Sequence, residues 1–213
     1  MKNQLALALL LASTSSAAVA ADISHTYVEV GFARQQVELP EIGNDVAMED
    51  MKADGGYIRG SVELNDAFYL FGGYSKGNDD IDVRYYPIGK VFEVDADAEQ
   101  GDIGFGYRHT LSDRVEWTGE LSYVNTRISV GVDGFKDRVK GDDYRASVGL
   151  RSNLASNFEG WIKANYTDGD VYDGEFTGTL GALVKFNETW GIVGEAEIGS
   201  DNKQYRVGVR ASF

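Results

Sequence analysis

Apolar side chains recur at every second position in one segment after another from Val28 to Phe213. That period of two commits the chain to strands, because a helix would repeat its apolar positions every three to four residues. The last segment shows it most cleanly. Tyr205, Val207, Val209, Ala211 and Phe213 alternate with Arg206, Gly208, Arg210 and Ser212. Successive side chains of a strand point to opposite faces, so one face here is apolar and the other charged or small.

The pattern recurs upstream. Val28, Val30 and Phe32 oppose Glu29 and Gly31, and Ile58, Val62 and Leu64 oppose Arg59, Ser61 and Glu63. Ile103, Phe105 and Tyr107 oppose Asp102 and Arg108, while Trp117, Leu121 and Tyr123 oppose Glu116 and Glu120. Tyr144 to Leu150 sets an apolar face against Arg145 and Arg151, and Phe158, Ile162 and Tyr166 face away from Glu159 and Lys163. Phe176, Leu180, Val184 and Phe186 oppose Lys185, and Trp190, Ile192 and Ile198 oppose Glu195 and Glu197. The segment Phe68 to Lys76 is apolar on both faces, and Trp161 and Leu183 interrupt the polar face. With Phe68, Leu70 and Tyr74 assigned outward, the count is ten strands, with eight as the alternative. Most have about 9–11 residues, which a tilted strand needs to cross a bilayer.

Short connections, such as Asn65-Asp66, 111–114, 152–157 and 187–189, alternate with mostly longer ones at 36–54, 77–100, 127–142 and 168–175; that at 200–203 is brief. Pro40 and Pro87 fall in long connections, where a missing N–H costs no ladder bond. Residues 1–20 read as an export leader: Lys2, the apolar run Leu5 to Ala12, then Ala18-Val19-Ala20 as a cleavage site. The mature chain is then 21–213, without cysteine and without a long apolar run, so neither disulfides nor a spanning helix is expected.

A water-soluble sandwich or lipocalin-like barrel also alternates, with its apolar face inward. Here the polar face carries charges of both signs interleaved with glycine, which is unlike a solvated surface. Aromatics also gather at strand ends on the apolar face: Tyr107, Phe158, Phe186 and Trp190 near the short turns, Tyr123, Tyr144, Tyr166 and Phe176 near the loops. Two such girdles flanking an apolar band fit an antiparallel up-and-down transmembrane β-barrel with short periplasmic turns and longer extracellular loops. The expected location is the outer membrane of a Gram-negative-type cell envelope, with membrane lipid and lipopolysaccharide as surroundings.

The closing strand Tyr205-x-Val207-x-Val209-x-Ala211-x-Phe213 resembles the signal read by the barrel assembly machinery. The chain resembles the small outer-membrane barrels of the OmpA-like and opacity-protein type. It is similar in particular to a subgroup described as quorum-sensing or diffusible-signal factors. The stretches that carry this are Tyr27-Val28-Glu29-x-Gly31-Phe32, Phe71-Gly72-Gly73-Tyr74-Ser75, Asn157-Phe158-Glu159-Gly160 and Val184-Lys185-Phe186-Asn187 with Trp190-Gly191-Ile192. The resemblance implies the fold and the outer-membrane location.

With the apolar face in lipid, the interior holds Glu29, Arg59, Glu63, Asp102, Arg108, Glu116, Glu120, Asp143, Arg145, Arg151, Glu159, Lys163, Lys185, Glu195, Glu197, Arg206 and Arg210. Such a mixture reads first as a structural network of ion pairs in a barrel largely filled by its side chains. A narrow porin-like path past the charges, with room left by interior Gly31, Gly104, Gly106, Gly149, Gly181 and Gly208, is the functional reading. A surface adhesion or signalling role for the acidic loops 77–100 and 127–142 is the alternative.

The formal net charge of −14 argues against nucleic acid and against a lumen selected for anions. No catalysis is expected: the two histidines, His25 and His109, fall at the short-turn end, and no cysteine supplies a nucleophile. Cofactors and a dedicated metal site are not expected either. Asp79, Asp80 and Asp82, and Asp95, Asp97 and Glu99, are acidic runs, and Asp168 to Gly174 departs from a calcium loop at Tyr172. They suit only weak bridging of divalent cations to lipopolysaccharide.

Overall fold

The structure, a computed structural model, describes residues 23–37, 46–48, 50–85, 89–132, 135–200 and 202–213. The expected leader 1–20, Pro40 and Pro87 lie outside the described residues, and the Asp82 side chain is not described. The elements are β1 (Tyr27–Val37), β2 (Val46–Met48), β3 (Met51–Glu63), β4 (Phe68–Tyr85), β5 (Gly89–Ser112), β6 (Val115–Val132), β7 (Phe135–Ala155), β8 (Phe158–Gly169), β9 (Glu175–Lys185), β10 (Trp190–Ile198) and β11 (Asn202–Ser212).

Ten strands close a ring of antiparallel neighbours, because β1 pairs with both β3 and β11. The three-residue β2 stands outside that ring and pairs only with the far end of β4. A level traced through the ten registers returns to β1 displaced by twelve residues. An even stagger lets inward faces meet inward faces all round, and closure with this stagger requires a strand tilt of about 40°. Closure also leaves no unpaired edge within the ring.

The apolar face is the outer one. Val30, Ile58, Leu121, Ile162, Leu180 and Val207 are all exposed, as are most aromatics of the two girdles. Rings stack across neighbouring strands, with Phe68 to Tyr107 at 5.3 Å, Tyr123 to Tyr144 at 5.9 Å and Tyr166 to Phe176 at 4.8 Å. Two of the short turns are built alike. Asn65 Oδ1 accepts from the N–H groups of Ala67 and Phe68, and Asn187 Oδ1 from those of Thr189 and Trp190. An Asx side chain thereby stands in for a backbone turn.

The stretches 77–100 and 127–142 correct the loop expectation. They are mostly β-ladder: β4 and β5 stay paired from Phe68↔Tyr107 to Tyr85↔Gly89, and β6 and β7 from Val115↔Ser152 to Val132↔Phe135. The pairing of β5 with β6 continues to Asp95↔Gly131, so these arms form a four-stranded wall. Similarly, 36–54 contains the end of β1 and the start of β3, and the 168–175 connection narrows to residues 170–174. Charge misled the reading. Asp95 and Asp97 alternate with Val94, Ala96 and Ala98, and those three are buried with Met51 and Ala53, so the period of two continues into the arm. Opposite charges are also registered across strands. Glu99 lies opposite Lys76 on one side and Arg127 on the other, with ion pairs of 2.9 and 3.1 Å.

Candidate functional site

The structure gathers the candidate charges in the barrel interior, in three layers. At the short-turn mouth Arg108 pairs with Glu63 at 3.1 Å, Glu116 lies against the His25 ring, and Glu159 accepts from Arg151 at 2.6 Å while contacting Lys185. In the middle Glu29 accepts from Arg210 at 2.6 Å and from the Tyr57 hydroxyl at 2.7 Å. Glu120 accepts from Lys163 at 2.7 Å and from Tyr69 at 2.6 Å. Glu195 binds Arg206 at 2.6 Å, Arg59 at 3.1 Å and the Trp161 indole N–H at 2.9 Å. Higher up, Arg145 meets Glu197 at 3.3 Å, and Thr177 donates to the same carboxylate at 2.9 Å. Asp102 also faces the interior, beside Gly73. Most of these carboxylates thus receive two or three donors, which offsets the cost of taking the charge out of water. Asp143 is fully buried and accepts from the backbone N–H groups of Val171 and Tyr172.

Large aromatics fill what the glycines leave. Tyr57 is registered opposite Gly31, Tyr69 opposite Gly106, Phe71 opposite Gly104 and Trp161 opposite Gly181. A Cβ at Gly106 would stand 2.1 Å from the Tyr69 ring, and one at Gly181 the same distance from the Trp161 indole. These glycines therefore seat rings and do not hold open a water path. Trp161 continues into a dry cluster with Leu183 and Val193, and the Arg210 guanidinium lies 5.3 Å from the indole centre.

Both mouths are occupied. Residues 23–26 fold under the short-turn end. Ile23 and His25 are buried, the His25 N–H donates to Glu63, Arg108 donates to the Ile23 carbonyl, and Ser24 and Thr26 bond to Phe213. The His25 ring lies 4.3 Å from that of Tyr69. At the opposite end the β8–β9 connection drops Tyr172 inward, where its hydroxyl accepts from Gln100 of β5 and Asn202 of β11. Between the two closures lies a cavity of about 110 Å³. Sequence reasoning missed Tyr57, Tyr69, Tyr172 and the 23–26 closure. The signal for the first two was available, namely a glycine opposite each ring.

Outside the interior, Tyr205, Val207, Val209 and Phe213 face outward on β11 and its end. Among the acidic runs, Asp79 accepts from the Lys52 N–H, and Glu99 is held by Lys76 and Arg127. The hydrogen bond from Lys76, joined by Arg127, holds the Glu99 carboxyl below its ordinary pKa; that from Arg34 does the same for Asp54. Both lie above the upper aromatic girdle.

The family model described as outer membrane protein beta-barrel domain matches residues 5–213. Among solved structures, the translocator domain of the autotransporter NalP from Neisseria meningitidis is similar with a TM-score of 0.54 at 12% identity, covering 100% of this chain and 96% of that one. The beta domain of the Bordetella autotransporter BrkA follows at 0.52 and 13%, covering 90% and 100%. The outer membrane protein OprG from Pseudomonas aeruginosa gives 0.49 and 12%, covering 90% and 99%. At such identities the likeness is one of fold alone. No curated protein matches the chain.

Proposed function

Because the chain belongs to the outer membrane beta-barrel domain family, we propose that it is a non-enzymatic integral barrel of the outer membrane, built as a closed scaffold and not as an open pore. The observation that carries this is the filled lower lumen. The buried cluster of Trp161, Leu183 and Val193 fills the β8–β10 side of the bore, beside the paired charges of Arg151, Glu159, Lys185, Glu116 and His25. In this reading the seventeen interior charges from Glu29 to Arg210 named in the sequence are a structural network. The girdles of Tyr107, Phe158, Phe186 and Trp190 below, and Tyr123, Tyr144, Tyr166 and Phe176 above, anchor the barrel in lipid and lipopolysaccharide. Export removes residues 1–20, and the assembly machinery reads the outward Tyr205, Val207, Val209 and Phe213. The subgroup likeness to diffusible-signal factors rests on strand motifs and brings no signalling chemistry with it.

The test is single-channel recording of the refolded mature chain, 21–213, in planar lipid bilayers. A folded, heat-modifiable barrel without discrete steps is the expected result. Steps whose size changes when Arg59 or Glu120 is neutralised would overturn the closed reading in favour of a narrow pore.

A second reading rests on the arms. From Tyr74 to Tyr85, β4 climbs about 37 Å along its own axis at about 3.4 Å per residue, paired throughout. An arm this regular presents a defined surface to a partner, unlike a mobile loop. Trimming residues 79–96 should then abolish cell-surface adhesion while leaving the barrel folded. Retained adhesion would rule the arm out as the binding element.

A further inference from the structure

We propose that the cavity between the two closures is a binding site for a small oxyanion, a carboxylate or phosphate group. The chain as a whole is acidic, yet the charge offered to this cavity is positive. Six basic side chains line it, Arg59, Arg145, Arg151, Lys163, Arg206 and Arg210, against four carboxylates, Asp102, Glu120, Glu195 and Glu197. The carboxylates that neutralise Arg151 and Arg210, Glu159 and Glu29, stand behind the wall and are each 1% exposed.

Within the lining pairs the base is the more exposed partner. Arg59 is 20% exposed and Arg206 12%, against 7% for their shared Glu195. Arg145 is 17% exposed against 8% for Glu197, and Lys163 26% against 13% for Glu120. Glu195 is also saturated, since two guanidiniums and the Trp161 N–H already converge on it. Each guanidinium carries five N–H donors in a planar fork and spends two of them in hydrogen bonds to the protein. Arg59, Arg145 and Arg206 thus keep N–H groups beyond those pairs at the cavity wall, where a charge contact is stronger than in bulk water.

Neutral polar groups complete the wall. Asn165 and Gln100 sit in its upper half with Ser122, Ser147 and Thr179. A cavity of about 110 Å³ has room for several waters, each needing roughly 10–15 Å³, and so for an ion that displaces some of them. Asp102 opposes an anion on the β5 side. The site's selectivity therefore comes from the opposite wall of β3, β7, β8 and β11.

Trp161 lines the cavity, and the other two tryptophans, Trp117 and Trp190, face outward. This supplies a direct test on the Trp117→Phe, Trp190→Phe chain refolded in detergent micelles, in which Trp161 is the sole indole. Iodide, caesium and acrylamide are used as anionic, cationic and neutral quenchers at constant ionic strength. With each quenching constant normalised to that for free N-acetyltryptophanamide, the site predicts iodide quenching several-fold stronger than caesium quenching. It also predicts that inorganic phosphate or succinate suppresses the iodide effect, the stronger of the two showing whether phosphate or carboxylate fits better. Arg206→Gln should reduce the iodide preference, with heat-modifiable gel mobility confirming the fold. Caesium quenching equal to or above that of iodide would overturn the proposal even if Arg206→Gln does not fold. So would iodide quenching that neither phosphate nor succinate affects. An indole out of reach of all three quenchers would overturn it as well, because a site sealed to them takes no ligand from solution. These readouts do not depend on conductance, so a conducting barrel would defeat the closed-scaffold reading without touching this one.

Discussion

Gly181→Ala adds one methyl group to β9 and should destabilise the barrel, whereas Gly178→Ala on the same strand should not. At Gly181 the new carbon would stand 2.1 Å from Cε2 of Trp161 and 2.3 Å from its Nε1 and Cζ2. Ordinary contact begins near 3.5 Å, so the indole must retreat by more than an ångström. It has nowhere to go without loss, because its N–H is bonded to Glu195 and its ring packs on Leu183 and Val193. Overpacking of this kind costs about 1–3 kcal/mol, and a broken Trp161–Glu195 hydrogen bond adds about 1–2 kcal/mol. The expectation is a loss of about 2–5 kcal/mol. At Gly178 nothing lies within 4 Å. Alanine there should leave stability unchanged or raise it by about 0.4–1 kcal/mol through the unfolded chain. The assay is reversible urea unfolding in lipid vesicles, followed by tryptophan fluorescence and gel mobility. Equal stability of the two variants would refute the argument that the interior glycines exist to seat rings.

Glu159→Gln keeps the shape of the side chain but strands Arg151 and Lys185 without their shared buried partner, and should cost about 3–5 kcal/mol in the same urea assay. A loss below about 1 kcal/mol would mean the pair is solvated. Ile162→Arg puts a charge on the lipid face midway between Phe158 and Tyr166 and should cost about 2–4 kcal/mol. By contrast Val139→Arg, on the exposed arm, should stay within about 0.5 kcal/mol. Glu99 titrates below the usual carboxylate range because of Lys76 and Arg127. Its depressed folded-state pKa means that the contribution is present above the unfolded value and lost as pH falls through the folded one. Protection of the β4–β5 ladder from hydrogen exchange, taken relative to the intrinsic rate at each pH, should therefore fall only at acid pH, and Lys76→Gln with Arg127→Gln should remove that onset. An onset unmoved by the double change would show that the acid sensitivity lies elsewhere.

The ring of strands could be read from the chain because it depends on local chemistry. Alternation fixes which residues share a face, and a charged face cannot meet lipid while Val30, Ile162 and Val207 can, so the sequence already turns the barrel inside out relative to a soluble one. The short turns were equally local, since Asn65 and Asn187 carry their own turn-making side chains. The arms were hard to see, because their inner stripe of Val94, Ala96 and Ala98 is short and small beside the acids that alternate with it, and only packing against Met51 and Ala53 shows it buried. What pairs with what inside the bore was also beyond the sequence. Glu29 and Arg210 are neighbours only because β1 and β11 close the ring, and Glu195 is shared by Arg59 and Arg206 only because β3 comes round to face β10. Nor could the sequence reveal that Tyr172 and His25 meet the two mouths, or that bases outface acids at the cavity, since a count of charges holds no information about depth. The sequence set the faces, and closure of the ring decided which charges met, which rings took the space of the glycines, and which charge was left looking inward.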